Sequence, residues 1–254
     1  MLAVIDPKLP FQTEFQPVIN DLQLCLRGAL GDNLHSIYLF GSVARKTARV
    51  GLSNIDVVVV TQRDLAGERA TLTNSVKWRV QRHFTQVVGM TLQCTTVNEV
   101  ASLTSLFSWG FLLKHCAVCI YGDDLAECFG EYELSWEIAK HWNDDVADWL
   151  AVYRDKIALA NMPAIQSASQ FAIARKLLRA SYALVMHKEQ RWLEDPIACG
   201  EAFLRYYPNK AQEIERLTIL LSGRVIAKRS VIGLLDSYGQ WLSDEYRKTE
   251  FRIG

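Results

Sequence analysis

Seven residues, IDVVVVT at positions 55–61, constrain this chain more than any others. Six of them are β-branched, a side-chain shape that loses freedom in a helix and packs well on a pleated surface. The run therefore reads as a buried strand, and a buried strand requires partners. SIYLF at 36–40 supplies one, ending at a Gly-Ser turn, and VVGMTLQCTT at 87–96 reads as another. CAVCIYG at 116–122 is a short fourth strand closed by Gly122. Between these runs the pattern is helical. Val18, Ile19, Leu22 and Leu26 form a stripe that stops near Gly31, and residues 64–84 repeat the signal. Helices interleaved with strands predict an α+β unit, a mixed sheet covered by helices.

The second half carries no strand signal. Leu134, Ile138, Trp142, Val146, Trp149, Tyr153 and Ile157 recur at spacings of four and three, predicting one long amphipathic helix. Further helices are expected over 165–188, 196–206, 210–222 and 226–247, with Asp195-Pro196 as a capped start. The expected organisation is thus residues 1–127 as the sheet-bearing domain and 128–254 as an all-α helical domain.

Lysine plus arginine equals aspartate plus glutamate at 28 each, so the formal net charge is zero. A neutral chain is a poor general polyanion binder, which argues against nucleic acid as a partner. Six scattered cysteines in apolar surroundings suit reduced thiols. The first residues lack the basic start and apolar core of a signal peptide, and no window reaches the ~20 apolar residues of a membrane span. The expectation is a cytoplasmic protein with no membrane contact.

The chemistry concentrates at 41–56. If the strand ends at Phe40 and a helical turn begins at the Gly-Ser pair, Gly41 lets the backbone approach a ligand and Ser42 offers a hydroxyl. Free amides of the new turn would face an anion, with Arg45, Lys46 and Arg49 adding positive charge. Asn54 and Asp56 stand two residues apart on a strand signal and so share a face. Two carboxylates at that spacing hold magnesium against phosphates; here one of the two is an amide.

GSVARKTARVGLSNIDVVVV resembles the motif of the nucleotidyltransferase superfamily, in which Gly-Ser precedes an acid-apolar-acid run by some ten residues. LLKHCAVCIYGDDL is similar to the strand that closes such domains. The resemblance covers about residues 15–127, and the helical half is similar in position to the C-terminal domain of aminoglycoside nucleotidyltransferases. It implies a mixed, mostly antiparallel sheet flanked by helices and magnesium-dependent transfer of an NMP group from an NTP to a small molecule or protein. It assigns nucleotide binding to Gly41, Ser42 and Arg45, metal to Asp56, and a catalytic role to Asp56 with Asn54 as auxiliary.

The chain departs from that pattern in three places. Asn54 replaces the first acid. A third acid is expected near Thr91, where none occurs before Glu99, and Lys46 stands where glycine is common. Loss of one such electrostatic element costs about 3 kcal/mol of barrier, or some hundredfold in rate. Two readings follow: an NTP-binding transferase, or a degenerate relative acting as a nucleotide sensor or protein-binding partner. Other candidates have ordinary explanations. Cys116 and Cys119 read as buried hydrophobes, His141 with Asp144, Asp145 and Asp148 as a polar helix face, and residues 77–83 as a solvated basic face. Arg175, Lys176 and Arg179 are cations that a nucleotide site could use.

Overall fold

The computed structural model describes residues 5–249. The chain forms two compact units, the first ending at Tyr132 and the second beginning at Glu133.

In the first unit, α1 (Gln16–Leu30), β1 (Leu34–Phe40), α2 (Gly41–Ala44), β2 (Ile55–Thr61), α3 (Glu68–His83), β3 (Met90–Thr96), α4 (Val97–Val100) and β4 (Ala117–Gly122) follow one another. The strands form one mixed sheet in the order β3-β2-β1-β4. β1 pairs antiparallel with both β2 and β4, and β2 pairs parallel with β3. Ile37, Leu39, Ile55, Val57, Val59, Leu92 and Cys94 point into a core closed by Val18, Ile19, Leu22 and Leu26 of α1 and by Val76 and Val80 of α3. Val58 and Val60, of opposite pleat, are also fully buried, so β2 is covered on both faces. Each buried valine contributes about 2 kcal/mol, enough to hold β2 as the rigid centre of the sheet. The basic face at 77–83 has a packing role: Arg79 forms a bidentate pair with Asp21 of α1 at 2.7 and 2.6 Å.

Tyr132 explains why the unit extends to that residue. Its hydroxyl donates to the Leu106 carbonyl at 2.8 Å, and its ring packs edge-on against Phe111 and His115. The segment after residue 127 is therefore tied back to the sheet-bearing unit.

The second unit holds α5 (Trp136–Asn143), α6 (Val146–Leu159), α7 (Pro163–Ala183), α8 (Met186–Glu189), α9 (Pro196–Leu204), α10 (Ala211–Leu220), α11 (Lys228–Leu234) and α12 (Gln240–Thr249). Helix α7 is its centre, in contact with α5, α6, α8, α9, α10 and α12. Polar groups on its buried surface are matched: Gln166 and Gln170 both donate to the Ile226 carbonyl at 2.7 Å, and Ser181 bonds the Tyr238 hydroxyl at 2.6 Å. Asp195 caps α9, accepting from the Ala198 amide at 2.8 Å.

The long helix expected from residue 134 is instead two, broken at Asp144 and Asp145. The cause is tertiary. Lys176 of α7 donates to the Trp142 carbonyl at 3.0 Å and to the Asp145 carboxylate at 2.6 Å, compensating the interrupted helical ladder. Asp145 also accepts from the Trp149 indole at 2.8 Å. The tryptophans at 142, 149 and 241 pack against Trp192, Tyr153 and Tyr238 respectively. No helix among the described residues is long and apolar enough to cross a membrane.

His115 is buried at 5% exposure, and neither ring nitrogen has a hydrogen-bond partner among the described residues. Burial pushes its pKa down, Glu131 opposing and Lys114 reinforcing the shift. Burial and Lys188 do the same to His187. Both rings fold neutral, whereas the unfolded chain takes up their protons near pH 6.5. Their contribution is therefore complete above about pH 6.5 and is lost as pH falls from there toward the folded pKa. Melting temperature should drop between pH 7.5 and 5.5, and His115→Phe should shrink the drop without abolishing it. An unchanged drop in the variant would exclude His115 as a source.

Candidate functional site

β1 delivers the chain to Phe40 in extended conformation, and Gly41 then turns it at φ +72°. The backbone closes into the single helical turn α2: the Arg45 amide bonds the Gly41 carbonyl at 3.2 Å and the Thr47 amide bonds the Ser42 carbonyl at 3.0 Å. Amides at the start of such a turn have no acceptor within it. Antiparallel pairing sets Asp56 opposite Phe40, at the mouth of this turn. A Cβ built on Gly41 would overlap the Asp56 Oδ2, so the carboxylate lies directly against the glycine backbone. Gly41 is thus required twice, for its positive φ and for the close approach.

The loop from 45 to 54 returns the chain to β2. The Gly51 amide bonds the Gln86 carbonyl at 2.9 Å, the Val88 amide the Ser53 carbonyl at 3.1 Å, and the Ile55 amide the Gly89 carbonyl at 3.0 Å. Asn54 sits between the last two and is exposed. Its Oδ1 would stand 3.0 Å from a Cβ on Gly89, so that glycine leaves room for the amide side chain. Ile55 is fully buried in the core, and Asp56, the next residue of β2, points to the opposite face, while Asn54 immediately precedes the strand.

The parallel register sets Thr91 level with Asp56, while Phe40 and Ala117 continue the same row across β1 and β4. Thr91 therefore brings a hydroxyl to the position beside Asp56. Glu99 does not replace an acid there. It follows the far end of β3, where Thr61 is level with Thr96, and it accepts from Thr95 at 2.7 Å and from the Trp109 indole at 3.3 Å.

Among the described residues, no group of three or more His, Cys, Asp or Glu side chains could hold a metal ion. The sheet end offers one carboxylate, one amide oxygen and one hydroxyl. That set fits a single magnesium ion arriving with nucleotide phosphates, since magnesium commonly takes one or two protein carboxylates and completes its shell with phosphates and water. It does not fit two metal ions held by the protein.

Gly41, Ser42, Arg45, Asn54 and Asp56 all fall within this end of the first unit. Features not legible beforehand are Gly89 and the backbone of Lys46, which adopts φ +61°. A lysine at a position where glycine is common was the available signal for the second. Of the other candidates, Lys176 is occupied by Asp145 and the Trp142 carbonyl, and Arg179 donates to the Glu194 carbonyl at 2.9 Å. His141 lies in the last turn of α5, whereas Asp145 sits in the break before α6.

A Gly-Ser turn closing β1, an acid on β2 lying over it, and a mixed four-stranded sheet backed by two helices are the architecture of a nucleotidyltransferase-type fold. Within the first unit, residues 26–93 match the family model described as a nucleotidyltransferase domain. The chain is also similar in fold to the spectinomycin adenyltransferase AAD(9) of Enterococcus faecialis, whose crystal structure contains ATP and spectinomycin. The TM-score is 0.56 at 16% identity, covering 90% of this chain and 98% of that one. No curated protein sequence matches the chain significantly.

Gly41→Ala should cost about 1–2 kcal/mol for the left-handed backbone and more for displacing Asp56. Gly51 is the control, with φ +70° and nothing within 4 Å of a built Cβ. Calorimetric melting should show a larger loss for Gly41→Ala than for Gly51→Ala. Equal losses would remove the carboxylate contact from the account.

Proposed function

We propose that this protein binds a purine nucleoside triphosphate with one magnesium ion and transfers its NMP group to a small-molecule acceptor. The observation that carries the reading is the Asp56 carboxylate lying against Gly41 at the start of the Gly-Ser turn. Amides of the turn, the Ser42 hydroxyl and the Arg45 guanidinium bind the phosphate oxygens. Asp56 holds the magnesium ion that accompanies the nucleotide, with Asn54 as a neutral auxiliary oxygen. When bound, the ion neutralises charge on the phosphates. The acceptor's nucleophile attacks the α-phosphorus, the bond to the bridging oxygen breaks, and pyrophosphate leaves. A small-molecule acceptor is favoured by the fold shared with an enzyme solved with ATP and spectinomycin.

A second reading has its own observation. With Asn54 and Thr91 flanking Asp56, the site lacks two of three expected acids. Nucleotide binding without turnover, as in a sensor or a protein-binding partner, is compatible with that loss.

Calorimetry with ATP or GTP and magnesium at millimolar concentration tests the common part of both readings. Binding heat is expected, together with a raised melting temperature. No heat and no stabilisation with any nucleotide would remove the phosphate-cradle assignment. Adenylylated product on incubation with ATP and aminoglycosides would separate the transferase from the sensor.

Asn54→Asp restores a second carboxylate with a nearly isosteric change. Without a cation, the pair repels and at least one pKa rises. With magnesium, both attract the ion. The magnesium-dependent rise in melting temperature, measured with nucleotide, should be larger in the variant than in wild type. An identical magnesium response would mean that positions 54 and 56 do not serve one ion.

A further inference from the structure

The loop after the Gly-Ser turn carries a backbone oddity that the phosphate assignment leaves unexplained. Lys46 takes φ +61°, a left-handed conformation that residues with a Cβ disfavour. Its side chain does not trail in solvent. The Lys46 Nζ donates to the Asp6 carbonyl at 2.8 Å and lies 5.5 Å from the centre of the Phe11 ring. Burial lowers its pKa, as expected of an ammonium held against an apolar ring and a single carbonyl.

Two residues further on, the contact to the same segment repeats. The Ala48 amide donates to Gln12 Oε1 at 3.0 Å, and Gln12 Nε2 donates back to the Ala48 carbonyl at 3.1 Å. One side chain thus satisfies both backbone groups of a loop residue, as a paired strand would. The segment is itself anchored, because Ile5 and Phe11 pack against the core under the sheet. It also reaches the other side of the loop: Gln86 Nε2 donates to the Glu14 carbonyl at 3.3 Å, and the Gln86 carbonyl accepts from Gly51.

We propose that residues 6–12 form a strap that positions the nucleotide loop, with Gln12 and Lys46 as positioning residues for the phosphate-binding turn. The inference rests on the nucleotide-binding reading given above. The strap acts by keeping the loop in its binding-competent shape. A loop that populates that shape less often binds more weakly in proportion. This role accounts for lysine at a left-handed position: the anchor it makes offsets the backbone preference it violates. Glycine would adopt the turn more readily but would leave the loop unattached.

The test uses the full chain and magnesium-ATP. Gln12→Ala and Lys46→Gly should each weaken binding by about tenfold, the scale of one or two lost hydrogen bonds. Combined, they should cost less than the sum, because both release the same loop. Lys46→Arg, which keeps a donor, should stay close to wild type. Amide exchange at 46–49 should accelerate in the first two variants, while that of β1 and β2 holds.

Unchanged affinity despite faster exchange would overturn the positioning role. Unchanged exchange would overturn the strap. Weaker binding in Lys46→Gly but not in Gln12→Ala would also overturn it, making Lys46 a direct ligand. If wild type binds no nucleotide, the functional reading fails separately, and exchange at 46–49 alone decides whether the strap holds the loop.

Discussion

The pairing of β1 with β2 is the constraint on which the candidate site depends. It sets Phe40 opposite Asp56, and one residue past Phe40 the chain must leave the sheet. Gly41 permits this by adopting a positive φ and by having no side chain where the carboxylate lies. The buried valines of β2 keep that geometry from drifting. A one-residue slip in register would turn Asp56 into the core and a valine out of it. The apolar content of β2 is therefore what orients its single acid.

Around this fixed point the remaining groups are set by backbone bonds rather than by local preference. Asn54 is held between the Val88–Ser53 and Ile55–Gly89 bonds, and Thr91 stands level with Asp56 through the parallel ladder to β3. Amide and hydroxyl thus occupy positions where acids would concentrate negative charge. Such a site repels phosphates less than a three-acid site would, and it holds a metal ion less firmly. Under the proposed nucleotide-binding reading, affinity and catalytic power can therefore part company, since only the second needs charge neutralised in the transition state.

The helical unit illustrates how a distant residue alters a local pattern. The apolar spacing from Leu134 to Ile157 continues without interruption, yet the helix breaks at Asp144 and Asp145. Lys176, 34 and 31 residues further along the chain, donates to Trp142 and Asp145 at the break. An interrupted ladder is tolerable when another group satisfies the freed carbonyl. The same lysine belonged to a cluster of cations that a nucleotide site could have used, and its two bonds account for it structurally.

The sequence by itself determined the strand runs, the alternation of helix and strand before the helical half, and the Gly-Ser turn followed by Asp56 on the next strand. These follow from side-chain branching and from periods of two and 3.6 residues, which act over a few neighbours. The resemblance puts Thr91 near the place of the missing acid, but only the tertiary structure decided its level register with Asp56, that Glu99 lies at the other end of the sheet, and that Tyr132 belongs with the first unit. It alone disclosed that Gln12 and Lys46 tie the loop to the N-terminal segment. Register, close approach and long-range hydrogen bonds join residues tens of positions apart, and no local pattern carries that distance.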